Sequence, residues 1–320
     1  MSERILITGG QGFFGAWIAR QLLREGVPFV LFDLAPDDSI LRQVLDPPEL
    51  AALERRFGDV CDRAELERVF AETRPTEVIH LAALQVPSCR EDPVRGALVN
   101  VIGTLEVFEA ACRHASTVEV VAYASSAAVA GPPGDYADAI LDDARHLPRT
   151  HYGVFKTANE GNARVYWQDR GLPSVGLRPL SAYGVGREIG ITSGPTKAIR
   201  AAVLGEEFVI PFTGTTGFNF AEDIAADFIA CARLHRKGAL ALNNPGENHT
   251  IEEFIAAIEE AVPSARGRVR AEGSPLPVAW NFDESGLASL LGKVPHTPIR
   301  EGVRRTAERF ARLRESGVLR

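Results

Sequence analysis

The segment that most restricts how this chain can fold is "RILITGGQGFFG", Arg4 to Gly15, where an apolar run of strand length passes directly into glycines. Gly9, Gly12 and Gly15 follow a GxxGxxG spacing and open the amphipathic stretch "FFGAWIARQLLREG". In a strand–turn–helix unit, glycines permit a tight turn and let backbone N–H groups approach a pyrophosphate. They also let the helix pack closely on the strand, and its N-terminus contributes partial positive charge. A glycine triad alone also fits an ordinary α/β turn. The next strand, "PFVLFD", narrows the choice, because it ends on Asp33, 18 residues past Gly15. A carboxylate there accepts hydrogen bonds from ribose hydroxyls and repels a 2′-phosphate. No arginine follows immediately in "DLAPDD", so the pattern predicts NAD rather than NADP.

Further along, "EVIHLAA", "VEVVAYASS" and "SVGLRPL" read as strands. Amphipathic stretches separate them: "DRAELERVFAET", "DPVRGALVNVIGTLEVFEAACRH" and "YGVFKTANEGNARVYWQDRG". This alternation specifies an α/β fold with a doubly wound parallel sheet, covered on both faces by crossover helices. Beyond Pro179 the rhythm breaks. The division expected is a nucleotide-binding domain over residues 1–180 and a smaller, partly interleaved substrate domain over 181–320, with a strand near 239–243 returning to the first. "TIEE" at Thr250 has the form of a capping box, and the arginine-rich C-terminal segment keeps an apolar side in Val303, Phe310 and Leu313.

A chain of 320 residues with 45% apolar content can bury a large core. Its net charge of −7, with both signs interspersed, argues against a nucleic-acid partner and leaves small molecules or further copies of the chain. Cys61, Cys89, Cys112 and Cys231 are scattered without CxxC or histidine spacing, which predicts neither a disulfide framework nor a metal site. No apolar run approaches the roughly 20 residues of a membrane span, and the first is too short for a leader. A soluble, uncleaved, cytoplasmic protein is expected.

The candidate chemistry lies in "THYGVFK". Tyr152 and Lys156 are four residues apart and share a helix face. Bringing a phenol from its ordinary pKa of about 10 to near 7 takes about 4 kcal/mol. One ammonium a few ångströms away supplies roughly 3 to 4 kcal/mol at an effective dielectric of about 20. Ser125 and Ser126 end the strand "VEVVAYASS", at the carboxyl edge where such sheets bind ligands. A serine hydroxyl there can hold a substrate oxygen while Tyr152 takes its proton. The seven histidines do not cluster, so no metal is expected.

Taken together, "TGGQGFFG", Asp33, "GDV" at Gly58–Val60, "HLAA" at His80–Ala83, "NVIGT" from Asn100, "SSAAVAG", "THYGVFK" and "LRPLSAYG" resemble an extended short-chain dehydrogenase/reductase of the nucleotide-sugar epimerase/dehydratase type. The resemblance implies a Rossmann-type NAD domain with Ser126, Tyr152 and Lys156 as the catalytic set. It implies cofactor contacts from Gly9, Gly12, Phe13, Phe14, Gly15, Asp33, Asp59, Val60, Leu81, Ala82, Ala83, Asn100, Ser125, Tyr152, Lys156 and Pro179. It also implies a homodimer built on the helices over residues 92–114 and 152–170. Substrate contacts are expected from Gln85, Ser88, Ser126, Ser181, Arg187 and Thr192, from their places in loops near the cleft.

The chain departs from the family pattern at two places. Ala127 and Ala128 stand where dehydratases carry an Asp-Glu pair, which disfavours elimination of water. Ser181 replaces the asparagine of "RPxNxYG", and Thr216 and Gly217 replace an Arg-Asp pair whose guanidinium grips a diphosphate. Arg187 or Arg200 could substitute for that guanidinium. Three functions remain open: epimerisation of a sugar or sugar-like substrate; net dehydrogenation of a small polyol, sugar acid or amino alcohol; and a redox-silent NAD-binding regulator.

Overall fold

The computed structural model describes residues 3–319. Seven parallel strands form the central sheet: β1 (Ile5–Thr8), β2 (Phe29–Asp33), β3 (Arg55–Phe57), β4 (Glu77–His80), β5 (Val120–Ala124), β6 (Ser174–Pro179) and, much later in the chain, a strand at Ala239–Asn244. Three short strands lie between β6 and this last one: β7 (Ser181–Tyr183), β8 (Phe208–Ile210) and β9 (Thr215–Phe220). The strand at Ala239–Asn244 is therefore β10, followed by β11 (Glu247–Thr250) and β12 (Val269–Ala271). The order across the sheet is β10-β6-β5-β4-β1-β2-β3. It is the doubly wound arrangement expected, with the order reversing between β1 and β4, where such sheets open a ligand crevice.

Strand side chains alternate between two cores. Ile5 and Ile7 of β1 and Phe29 and Leu31 of β2 face one side, where the helices Phe13–Glu25 and Ala221–Ala232 pack. Leu6, Val30 and Phe32 face the other, against the helices Arg63–Thr73 and Gly103–Arg113. These side chains are buried, each stabilising the fold by about 1.5–3 kcal/mol relative to exposure. The predicted C-terminal helix, Ile299–Glu315, buries Val303, Phe310 and Leu313, and the Thr250 capping box is present.

Outside the main sheet, β11-β9-β7 and β12-β8 form two small sheets. Among the described residues no helix is long and apolar enough to cross a membrane. The helix predicted as one piece over residues 92–114 is interrupted: Pro93–Ala97 passes into a π-type turn at Leu98–Ile102 and then into Gly103–Arg113. The Asn100 side chain lies in that wider turn and holds the backbone of Leu84 in both directions, accepting from its N–H at 2.7 Å and donating to its C=O at 2.9 Å.

Candidate active site

The glycine loop links β1 to the helix Phe13–Glu25. Gly9 has φ +67°, and a Cβ there would lie 2.6 Å from the backbone nitrogen of Ala82. The loops after β1 and β4 therefore touch at the crevice, and only glycine fits at that contact. A Cβ on Gly15 would lie 2.5 Å from the carbonyl oxygen of Gly10, so the helix approaches the strand as closely as backbone allows. The Asp33 carboxylate, at the end of β2, accepts from the N–H groups of Gln11 and Leu34, each at 2.9 Å. Burial pushes its pKa up and these two N–H groups pull it down. The loop, the carboxylate beside it and the half-open Leu81–Ala83 segment form a cradle that suits a dinucleotide. Gly9, Gly12, Phe13, Phe14, Gly15, Asp33, Asp59, Val60 and Leu81–Ala83 would hold it.

The catalytic candidates converge from two elements. Thr150 caps the helix His151–Arg170, its hydroxyl accepting from the Gly153 N–H at 3.0 Å. Ser126 caps the short turn Ala127–Val129 after β5, accepting from the Ala128 N–H at 3.1 Å. Gly153, which sequence reasoning passed over, lets these two elements meet. A Cβ at that position would collide with the Ala128 carbonyl oxygen. Tyr152 is thereby brought to Ser126 on the wall of one cavity.

Lys156 is buried, with Nζ 5.4 Å from the centroid of the Tyr152 ring and donating to the Ala124 carbonyl at 2.6 Å. Burial lowers its pKa to about 8, against the opposing pull of Cys89 and Glu160. Burial likewise raises the Tyr152 pKa, and the groups that oppose that rise are the Ser126 hydroxyl and the Arg187 guanidinium. The phenol thus has two cations near it, Lys156 four residues along its own helix and Arg187 from the loop after β7.

Two polar networks brace this arrangement from behind, and neither was read from the sequence. In one, His80 bonds Thr8 at 2.6 Å and Thr104 at 3.0 Å, while the Thr104 hydroxyl donates to the Asn100 carbonyl at 2.7 Å. Thr104 has then spent its proton, so His80 Nε2 is the donor to it, and burial keeps the ring neutral with a pKa of about 3. Asn159, on the helix His151–Arg170, donates to the same Asn100 carbonyl at 2.8 Å. In the other network, Glu160 accepts from Ser125 and pairs with Arg178.

The cavity is lined by Phe14, Gln85, Ser125, Ser126, Tyr152, Pro179, Arg187 and Thr192, among others. Leu276 and Val278 close it from above, two residues that carry no signal in the sequence because only the fold brings them there. Ser88 and Ser181 are not among the lining residues. Ser88 sits in the helix Val86–Glu91, and the buried Ser181 hydroxyl shares a 2.7 Å bond with Thr216. Gly217 is pressed against the Pro245 carbonyl, so this corner is filled by the chain's own atoms. Arg200 lies 3.8 Å from the Glu188 carboxylate, outside the cavity lining.

The NAD-dependent epimerase/dehydratase family model matches residues 5–241, about three quarters of the chain. The chain belongs to that family. A UDP-glucose 4-epimerase of Rhizobium leguminosarum bv. trifolii is 30% identical, the match covering 94% of this chain and 95% of that one. A dTDP-glucose 4,6-dehydratase of Neisseria meningitidis is also 30% identical, over 57% of this chain and 54% of the dehydratase. The Thermus thermophilus UDP-glucose 4-epimerase structure, a complex with NAD, superimposes with a TM-score of 0.81 at 27% identity, covering 96% of this chain and 98% of that one. NAD is the cofactor of this family member, as Asp33 and its two N–H partners suggest.

Proposed function

We propose that this family member is an NAD-dependent, epimerase-type oxidoreductase acting on a secondary alcohol of a sugar or sugar-like substrate. The observation that carries the proposal is the meeting of Tyr152 and Ser126 on the wall of one cavity, with the Lys156 ammonium behind them, 5.4 Å from the Tyr152 ring centroid. Tyr152 takes the proton of the alcohol, and Ser126 holds the same oxygen. Lys156, fixed by Ala124, supplies positive charge beneath the phenol and a donor for the nicotinamide ribose. Bound NAD, held by the glycine loop and Asp33, would supply the hydride acceptor and donor for the carbinol carbon, which epimerisation uses on opposite faces. Ala127 and Ala128 on the cavity wall offer methyl groups where elimination of water needs an acid and a base.

The proposal also makes the enzyme a cytoplasmic homodimer. All four cysteines are free thiols, as suits a reducing compartment. Val94, Leu98 and Ile102, with Val154 and Val165 of the catalytic helix, are exposed apolar residues on the two helical segments predicted to pair.

The test incubates purified protein with NAD and a panel of free sugars, sugar acids, amino alcohols and nucleotide sugars, reading NADH by absorbance and stereochemistry by NMR. A new stereoisomer without NADH is the expected result, and accumulation of NADH would make the enzyme a net dehydrogenase. Tyr152→Phe should abolish turnover while leaving NAD bound. A Tyr152→Phe protein that keeps its biological activity would show a redox-silent regulator.

A further inference from the structure

Among the described residues, Arg187 is the one charged side chain on the cavity lining, and it has no acidic partner. Its Nη2 lies 3.3 Å from the Thr192 hydroxyl, and its Nε is enclosed with no hydrogen-bond partner. The guanidinium carbon sits 5.6 Å from the centroid of the Phe13 ring, and Arg187 and Tyr152 each feel the other's charge. A guanidinium does not discard its proton at any accessible pH. Left half-buried and unpaired, it is a standing electrostatic cost, of the kind that functional sites retain for a ligand.

The corner formed by Ser181, Thr216 and Gly217 offers no cation, since the two hydroxyls bond each other and Gly217 meets the Pro245 carbonyl, so Arg187 is the single charge the cavity presents to an anion. The roof of the cavity, Leu276 and Val278, is apolar. One planar fork of N–H groups in an otherwise uncharged site matches one carboxylate. Thr192, on the same wall and 3.3 Å from the guanidinium, adds a hydroxyl.

We infer that the substrate is a small hydroxy acid, a sugar acid without a nucleotide, whose carboxylate is gripped by Arg187 and Thr192 while its secondary hydroxyl lies at Tyr152 and Ser126. The inference rests on the proposed hydride chemistry for its reacting group and on Arg187 for its anion.

Calorimetry on the NAD-loaded protein tests it, with galacturonate, gluconate and threonate set against galactose, glucose and threitol, and UDP-glucose as the diphosphate arm. At least one acid should bind 100-fold or more tighter than its neutral counterpart. Arg187→Met should erase that preference and Arg187→Lys restore part of it, with NAD affinity unchanged in both and the unfolding temperature of Arg187→Met no lower than that of wild type. The inference is overturned if no acid binds at millimolar concentration, if acid and neutral partner bind alike, or if UDP-glucose binds and Arg187→Met weakens it. It is also overturned if Arg187→Met leaves the acid preference intact and only moves the pH–rate profile, which would make Arg187 a tuning partner of Tyr152. An acid that binds through Arg187 but yields neither NADH nor a stereoisomer would instead sink the proposed chemistry and leave the anion site standing.

Discussion

Glu160, one turn past Lys156 on the catalytic helix, meets Arg178 of β6 in a two-pronged pair, Nε to Oε1 at 2.9 Å and Nη2 to Oε2 at 2.7 Å. Both are buried, at 1% and 4% exposure, and their other partners are Ser125, Asn243, the Asp142 carbonyl and His146 Nε2. Arg178→Met therefore strands a buried carboxylate and should cost about 3–5 kcal/mol in chemical denaturation, while Arg178→Met with Glu160→Gln recovers part of that loss. The pair holds the Glu160 pKa down despite its burial. Its contribution is present above the ordinary carboxylate range and is lost as pH falls through the depressed folded value, so wild type should lose stability in acid more steeply than the double variant.

Lys156 has the opposite sign. Its pKa falls from 10.5 to about 8 on folding, so below pH 8 the folded protein carries the full cost of a buried ammonium. Between pH 8 and about 10.5 the unfolded chain binds more protons than the folded one, and stability rises with pH. Lys156→Met should raise the unfolding temperature at pH 7, by up to a few kcal/mol in stability, and the gap should close as pH approaches 10. Turnover should be lost at every pH.

Gly153→Ala drives a methyl group against the Ala128 carbonyl oxygen and so pushes the helix His151–Arg170 off the Ser126 turn. A displacement of even about 1 Å at a reacting centre can cost on the order of 100-fold in rate. The expected outcome is a kcat lowered by about that factor with NAD affinity near wild type, read by single-turnover kinetics and cofactor titration. An unchanged kcat would mean that the helix and turn have slack.

Asp33→Ala should weaken NAD about 10- to 100-fold and abolish the preference over NADP, since it removes the acceptor for the ribose hydroxyls and the repulsion of a 2′-phosphate. Fluorescence titration with both cofactors checks it.

Leu98→Glu with Val165→Lys places charges on the exposed apolar faces of two helical segments. Wild type should sediment as a dimer and the double variant as a monomer that still binds NAD. A wild-type monomer would rule out the proposed assembly.

Much of the nucleotide-binding half was legible because its physics is local. β1, β2, β4, β5 and β6 are short apolar runs, and Gly9 is demanded by a single backbone angle. β3 was missed because "RRF" is a half-exposed edge strand with two arginines that reads as surface. The break at Asn100 was missed because a distant backbone, that of Leu84, chooses the turn. Ser88 and Ser181 were selected for lying in the right loops, and loop position does not say which way a side chain points. Arg178 carries a signal in the sequence, a lone charge within the apolar strand "SVGLRPL", and the structure buries all six residues of β6.

The register of β10 against β6, Ala239 opposite Ser174 through Asn244 opposite Pro179, sets an order of events during synthesis. Until residue 244 has left the ribosome, β6 presents a row of unpaired amide and carbonyl groups, and Arg178 lacks the Asn243 acceptor. The nascent NAD-binding half must then wait with an open, sticky margin for a strand encoded some sixty residues later. A chain cut at residue 180 would keep that margin for good and should aggregate rather than fold as a free-standing cofactor module.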